Sequence, residues 1–180
     1  MWKKHPKALP FLFFSEMWER FGYYLMIGIF TLYLKDVKAG YAMTEAESAD
    51  LYGTFIALVF LTPFIGGLLA DRYLGYRKSI IIGGLMMGIG YCLMSVHNIA
   101  MLYLSMTLVI VGNGFFKPNI STLLGNVYTT PQYIKQKDDG YNIFYMGINI
   151  GAFICNFFGA ALYIVYGWGA AFIAAGVGMF

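Results

Sequence analysis

Charge is what this sequence of 180 residues has least of: 12% of its residues are Asp, Glu, Lys or Arg and 59% are hydrophobic. An ordinary soluble domain carries about 25% charged and 45–50% apolar residues, so a soluble fold is excluded. Residues 51–70, 79–116 and 140–180 hold no charged side chain. A helix needs only about 20 such residues to cross hydrocarbon, and the second and third runs are long enough for more than one crossing. Cysteine is scarce too. Cys92 and Cys155 both fall in apolar stretches and read as small buried hydrophobes, which leaves no disulfide framework and no thiolate metal site. No Ser/His pair, paired metal ligands or nucleotide loop accompanies the carboxylates, so neither an enzyme, a cofactor nor a metal is expected. The net charge of +3 comes from basic residues at helix ends, singly or in pairs and triplets. Without a basic face, nucleic acid is excluded as a main partner. Lone His97 falls in a short turn and reads as a solvated residue.

What is present is an all-α, polytopic membrane bundle in one unit. Punctuation by charge and turn residues predicts five complete crossings near residues 9–34, 45–69, 78–96, 99–124 and 141–166. A sixth apolar segment, 168–180, at ~1.5 Å per residue reaches about two-thirds of the way across and is expected to be incomplete. The apolar run 9–14 is broken by Ser15 and Glu16 and lacks a small-residue cleavage site, so the first helix reads as a retained anchor. Thr44 and Glu47 have capping-box spacing at the start of the second crossing. Residues 128–139, with Pro131, Lys135, Lys137, Asp138 and Asp139, predict a solvated loop. One side of the membrane receives Lys3, Lys4, Lys7, Arg72, Arg77, Lys78, Lys135 and Lys137; the other receives Lys35 and Lys38. That imbalance predicts a multi-pass protein of the cell membrane with a cytoplasmic N-terminus.

Four charges stand where a bilayer tolerates them poorly. Glu16, Glu19 and Arg20 lie inside the first helix and Lys117 inside the fourth. An ionised side chain at the bilayer centre costs about 2.5–3.5 kcal/mol, so three on one turn represent roughly 8–10 kcal/mol if left bare. They must face protein or water. Positions i, i+3 and i+4 share a helix face, and a glutamate four residues before an arginine is the favourable order for an ion pair. Counted from their shared side, Glu16 to Arg20, Lys117 and Asn149 fall roughly 10–16 Å deep at ~1.5 Å per residue. Two carboxylates, two cations and an amide are thus expected in one layer whose formal charge is zero. Such a layer can be a neutral cluster tying helices together, or a polar cavity for an anionic or zwitterionic solute. In the second case, protonating one glutamate leaves net positive charge to hold a carboxylate. Tyr24, at i+4 from Arg20, can offer a hydroxyl to the same ligand or simply pack. Pro63 and Pro118 each remove a helix bond that neighbours must replace. Gly84 with Gly88, and Gly147 with Gly151, have the spacing of close helix contacts.

Between the second and third crossings, Gly66 and Gly67 are followed by Asp71, Arg72, Gly75, Arg77 and Lys78. This acid-Arg-x-x-Gly-x-basic-basic spacing resembles the cytoplasmic loop motif of the major facilitator superfamily. Within it, Glu16-Met17-Trp18-Glu19-Arg20 resembles the ExxER motif of the proton-coupled oligopeptide transporter family. Residues 112–119, around Lys117, resemble that family's fourth-helix lysine segment, and residues 144–151, around Asn149, its fifth-helix signature.

The resemblance implies the N-terminal half of a major facilitator fold, an activity of proton-coupled di- and tripeptide symport by alternating access, and small peptides, protons, the bilayer and a C-terminal six-helix half as partners. It implies that Arg20, Lys117 and Tyr24 hold the peptide carboxylate and that Asn149 contacts the peptide backbone or amino end. Glu16 and Glu19 would take part in proton coupling, exchanging partners with Lys117. Gly67, Asp71, Arg72, Gly75 and Arg77 would form the conformational loop motif. The sequence departs from the family at Ile27, where many members have an arginine, and at Phe60, where a pocket tyrosine is usual. These departures keep open a transporter of the same fold for another anionic or amino-acid-like solute. The chain is expected to be an N-terminal fragment, whose further alternative is a truncated membrane interaction protein that does not transport.

Overall fold

The structure, a computed structural model, describes residues 4–180. Lys3, one of the residues counted for orientation, lies outside them. Six α-helices follow one another: α1 (Ala8–Lys35), α2 (Glu45–Leu69), α3 (Tyr76–Met94), α4 (Ile99–Val127), α5 (Lys137–Tyr166) and α6 (Trp168–Val177). α1 packs against α2, α4, α5 and α6, and α4 pairs with both α2 and α3. Among the described residues four helical stretches are long and apolar enough to cross a membrane: Glu45–Leu74, Tyr76–Met94, Ile99–Val127 and Ile134–Tyr166. α1 has the length, 28 residues, but its charged turn dilutes its apolarity. Burial against the neighbouring helices shields that turn.

Two connections differ from their sequence reading. Asp138 and Asp139 do not belong to the loop after α4; they stand in the first turn of α5, where acidic side chains face the unsatisfied N–H groups of a helix start. Between α2 and α3 there is almost no loop. Residues Ala70–Leu74 continue as one π-helical turn, and only Gly75 breaks the helix, at φ 75°. That left-handed conformation is one that glycine adopts without penalty. Thr44 and Glu47 do form the reciprocal cap of α2, the Thr44 backbone N–H donating to Glu47 Oε2 at 2.9 Å.

Small residues set how closely the helices approach. A side chain at Gly147 would press on the Phe13 ring and one at Gly151 on the Met17 carbonyl, so α5 lies directly on α1. Along α3 the tight glycines are not the expected Gly84 and Gly88 together. Gly83 and Gly90 meet α4, at Gly112 and at Val109 with Ser105, while Gly84 has ordinary room and Gly88 faces Met179 and Phe180.

The two membrane prolines both lie at the α2–α4 contact, and Pro63 is compensated across it. Pro63 has no N–H, so the Val59 carbonyl four residues earlier loses its helix donor. The fully buried Asn113 of α4 replaces it, donating from Nδ2 to Val59 O at 3.0 Å. Pro118 frees the Gly114 carbonyl in the same way, and Gly66 of α2 is pressed against that oxygen. Asn113→Leu is therefore expected to lower stability by about 1–2 kcal/mol, between the small mean value of a membrane hydrogen bond and the full cost of a buried bare acceptor. Thermal unfolding in detergent checks this, and a midpoint equal to that of the parent would show that Val59 O needs no donor.

At the end of the bundle away from Gly75, three connections are tied together. Trp168 Nε1, at the start of α6, donates to Asp36 Oδ2 at 2.8 Å, and the Lys38 N–H donates to Asp36 Oδ1 at 2.8 Å. The indole N–H first, then the backbone N–H groups of Lys38 and Ala39, hold the Asp36 carboxyl below its ordinary range. Tyr41 donates to Asn98 O at 3.0 Å and stacks on exposed His97 at 4.7 Å between ring centroids.

Candidate functional site

The charged turn of α1 is almost completely enclosed: Glu16 is 4% exposed, Glu19 0% and Arg20 5%. Arg20 Nε is shared by both carboxylates, lying 3.3 Å from Glu16 Oε1 and bonded closely to Glu19 Oε2. Sharing one guanidinium is how two carboxylates can be buried side by side. Among the described residues each still has one oxygen without a protein partner, Glu16 Oε2 and Glu19 Oε1, and Arg20 lacks one at Nη2. The hydroxyl of Tyr91, a fully buried α3 residue in electrostatic contact with Glu19 and Arg20, is also without a hydrogen-bond partner among the described residues. Gly22 allows this approach, because a Cβ there would touch the Tyr91 ring at 3.1 Å.

Lys117 reaches the same place from α4. Its ammonium lies over the Tyr23 ring at 6.0 Å and the Phe60 ring at 5.2 Å, and the Arg20 guanidinium lies over that same Tyr23 ring at 5.0 Å. The two cations are thus brought together on one aromatic residue, with Glu16 and Glu19 within electrostatic range of both. Among the described residues Lys117 makes no ion pair or hydrogen bond; it is half-buried and lines a cavity. That cavity, of about 430 Å³, is lined by Arg20, Tyr23, Tyr24, Ile27, Tyr52, Ile56, Phe60 and Lys117.

The tyrosine that meets both cations is Tyr23, while Tyr24, singled out from the sequence, stands at the rim against the edge of Tyr23, their ring centroids 5.5 Å apart. Tyr52 joins the lining unannounced: nothing in its sequence context marks it. Asn149 departs from the expectation of a shared layer. Between Gly147 on Phe13 and Gly151 on Met17 it stands level with Ser15 and Glu16, but it is exposed on α5, about 180° around from those glycines, and it does not line the cavity. Around the turn after α2, Asp71, Arg72, Gly75 and Arg77 are exposed and Gly67, still within α2, is half-buried beside Pro118; none of the five lines the cavity. Among the described residues no group of His, Cys, Asp and Glu could hold a metal.

The sequence profile of the Major Facilitator Superfamily matches residues 13–180. The chain belongs to that superfamily. Its relatives include proteins named dipeptide and tripeptide permease A. It is 40% identical to the dipeptide and tripeptide permease A of Yersinia pestis over 178 residues, 98% of this chain and 34% of that protein. It is equally identical, 40%, to the permease of the same name from Escherichia coli (strain K12), covering 35% of it. The chain therefore spans about a third of the length of the curated relatives it matches. Among solved structures, a peptide transporter POT in complex with sulfate superposes over 100% of this chain and 37% of its own, at 37% identity and a TM-score of 0.93. A POT family transporter in complex with 5-aminolevulinic acid covers 99% of this chain and 37% of its own at 30% identity and a TM-score of 0.91. The charged cluster thus sits in a helical bundle similar in fold to part of those peptide transporter structures.

Proposed function

We propose that this chain supplies the N-terminal bundle of a proton-coupled symporter of di- and tripeptides in the cell membrane, with its N-terminus in the cytoplasm. The observation that carries this is the convergence of Arg20 and Lys117 on Tyr23 in one cavity, directly beside two buried carboxylates. A peptide carboxylate fits between the two cations, with Tyr24 offering a hydroxyl at the rim. Glu16 and Glu19 hold Arg20 while both are ionised. A proton on either leaves the cluster with a net positive charge and frees part of the guanidinium for the ligand. By linkage, the bound carboxylate must then favour proton uptake by the same factor as the proton favours the ligand. Asn149 faces away from this cavity, so a contact with the peptide's amino end requires a ligand that extends past α1 towards α5. Asp71 and Arg72, with Gly67, Gly75 and Arg77 around them, steady the contact with the other bundle, against which this one must rock in alternating access.

The test is uptake of labelled dialanine into liposomes containing the full-length transporter that carries this sequence, under an acid-outside gradient. Unlabelled di- and tripeptides are expected to compete, and collapse of the proton gradient is expected to stop accumulation. Competition by nitrate or single amino acids, with none by peptides, would establish instead a carrier of the same fold for another solute. Ile27 and Phe60 favour that second reading, since each puts an apolar side chain on the cavity wall.

A further inference from the structure

We infer that the Tyr91 hydroxyl is the partner Glu19 takes when Arg20 turns from it to a ligand carboxylate, which makes Tyr91 a positioning residue in the coupling of proton and solute. The inference rests on the proposed peptide symport and deepens it at the same cluster. Tyr91 stands on α3, a helix that does not line the cavity, and is fully buried. Its place is set from α1. A Cβ at Gly22 would meet the Tyr91 ring at Cε2, 3.1 Å away, and at Cζ, the carbon that bears the hydroxyl, 3.4 Å away. Gly22 follows Glu19 by three residues and shares its face of α1, while Glu16 lies almost a further turn away. The hydroxyl is thus held at the Glu19 side of the charged turn, in electrostatic contact with Glu19, Arg20 and Tyr23.

Three atoms of this contact have no hydrogen-bond partner among the described residues: Glu19 Oε1, Arg20 Nη2 and the Tyr91 hydroxyl. The first only accepts a hydrogen bond, the second only donates, and a tyrosine hydroxyl does both. A polar group enclosed without a partner is costly. This hydroxyl gains its partner in an arrangement where Glu19 has lost its guanidinium. Arg20 Nε holds both carboxylates while the cavity has no ligand. A peptide carboxylate that draws the guanidinium away leaves Glu19, 0% exposed, without a cation, and a buried carboxylate stripped of its cation is strongly unfavourable. A hydrogen bond donated by Tyr91 to Glu19 offsets part of that loss, and the proton stays on the tyrosine oxygen. The other titratable groups facing the pair are Glu16 and Tyr23 on α1 and Lys117 on α4. α6, packed on both α1 and α3, carries no titratable side chain and brings Ala175 against Gly22.

Exchange of labelled dialanine by the full-length transporter, with equal pH on both sides of the liposome, measures this. Tyr91→Phe removes only the hydroxyl. Because that hydroxyl is unpartnered before ligand binds, the unfolding midpoint of the ligand-free variant is expected to equal or exceed that of the parent. The half-saturating dialanine concentration is expected to rise about tenfold at mildly alkaline pH, the effect of one hydrogen bond to a charged group. At mildly acidic pH, where a proton on the carboxylate takes the place of the lost donor, the rise should shrink to about twofold. In a Glu19→Gln background Tyr91→Phe should have almost no further effect, since the hydroxyl acts through that carboxylate. A tyrosine that only packs would lower exchange by the same factor at both pH values. That result overturns the inference while peptide symport stands, as does an unchanged half-saturating concentration, a midpoint well below the parent's, or an undiminished loss in the Glu19→Gln background. If the parent exchanges no dipeptide, the symport reading fails and the inference with it. Tyr91→Met also lacks the hydroxyl and carries the same comparison if Tyr91→Phe does not accumulate.

Discussion

Replacing Lys117 by alanine is expected to reduce proton-driven dipeptide uptake by about a hundredfold or more, while the protein still inserts and folds. The two halves of that expectation have separate physical grounds. The loss of transport follows because Lys117 is the cation of the cavity whose donors no carboxylate occupies, and a charge-assisted bond to a ligand carboxylate is among the stronger polar contacts. Removal of a buried charge partner from a ligand costs about 2–5 kcal/mol, which is of the order of the stated fold change. The retention of folding follows from where the lysine rests. Its ammonium touches two aromatic faces, contacts that contribute about 0.5–2 kcal/mol, and its loss leaves both glutamates still bound to Arg20. Arg20→Ala is the contrast: it strands two enclosed carboxylates at once, and breaking a buried pair this way costs about 3–5 kcal/mol, so that variant should fail to accumulate. Glu19→Gln is expected to fall between them, losing uphill uptake while keeping peptide exchange in the absence of a gradient. Detergent-solubilised yield and elution profile report folding; liposome uptake reports transport. Full driven uptake by Lys117→Ala would remove the lysine from the coupling scheme.

The charged cluster was legible in the sequence because hydrocarbon leaves so few options for an ion. Glu16, Glu19 and Arg20 at i, i+3 and i+4 had to converge, and residue counting brought Lys117 to their depth. The facing of the other polar residues was not legible. Tyr23 and Tyr24 are successive residues, about 100° apart on a helix, and what turns Tyr23 towards the cations is the phase of α1. That phase is set by contacts elsewhere, Gly22 on Tyr91 and Gly151 on Met17. Asn149 shows the same gap in reverse: counting residues along α5 does not say which way it faces, and Gly147 and Gly151 fix which face of α5 meets α1. The Asn113 to Val59 bond needs the register between α2 and α4, which neither helix specifies alone. Asp138 and Asp139 carry the charge of a loop and equally that of a helix start, so composition could not separate the two.

That register gives the second large effect, a contrast between adjacent glycines. Gly66→Ala is expected to destabilise the bundle by about 3 kcal/mol, the upper range for forced overpacking, whereas Gly67→Ala should be neutral or gain up to about 1 kcal/mol from helix propensity. A Cβ at Gly66 would run into the Gly114 carbonyl and come within 2.9 Å of the Phe115 nitrogen, atoms of backbone that cannot swing aside. A Cβ at Gly67 would meet only Pro118, at 3.7 Å, an ordinary contact. The crossing is equally tight from the other side, where a Cβ at Gly114 would lie 2.8 Å from Thr62 Cβ. Displacing α2 from α4 would also pull Asn113 from Val59 and Phe60 from Lys117, so the Gly66 variant should lose the cavity wall along with its stability. Gly67, by comparison, has room for a methyl group beside Pro118, and any effect of Gly67→Ala should fall on transport rate and not on the unfolding midpoint. Thermal unfolding of the two variants side by side decides the matter. Equal midpoints would mean that α2 and α4 can separate by a methyl group without cost, which an approach this close between two backbones does not allow.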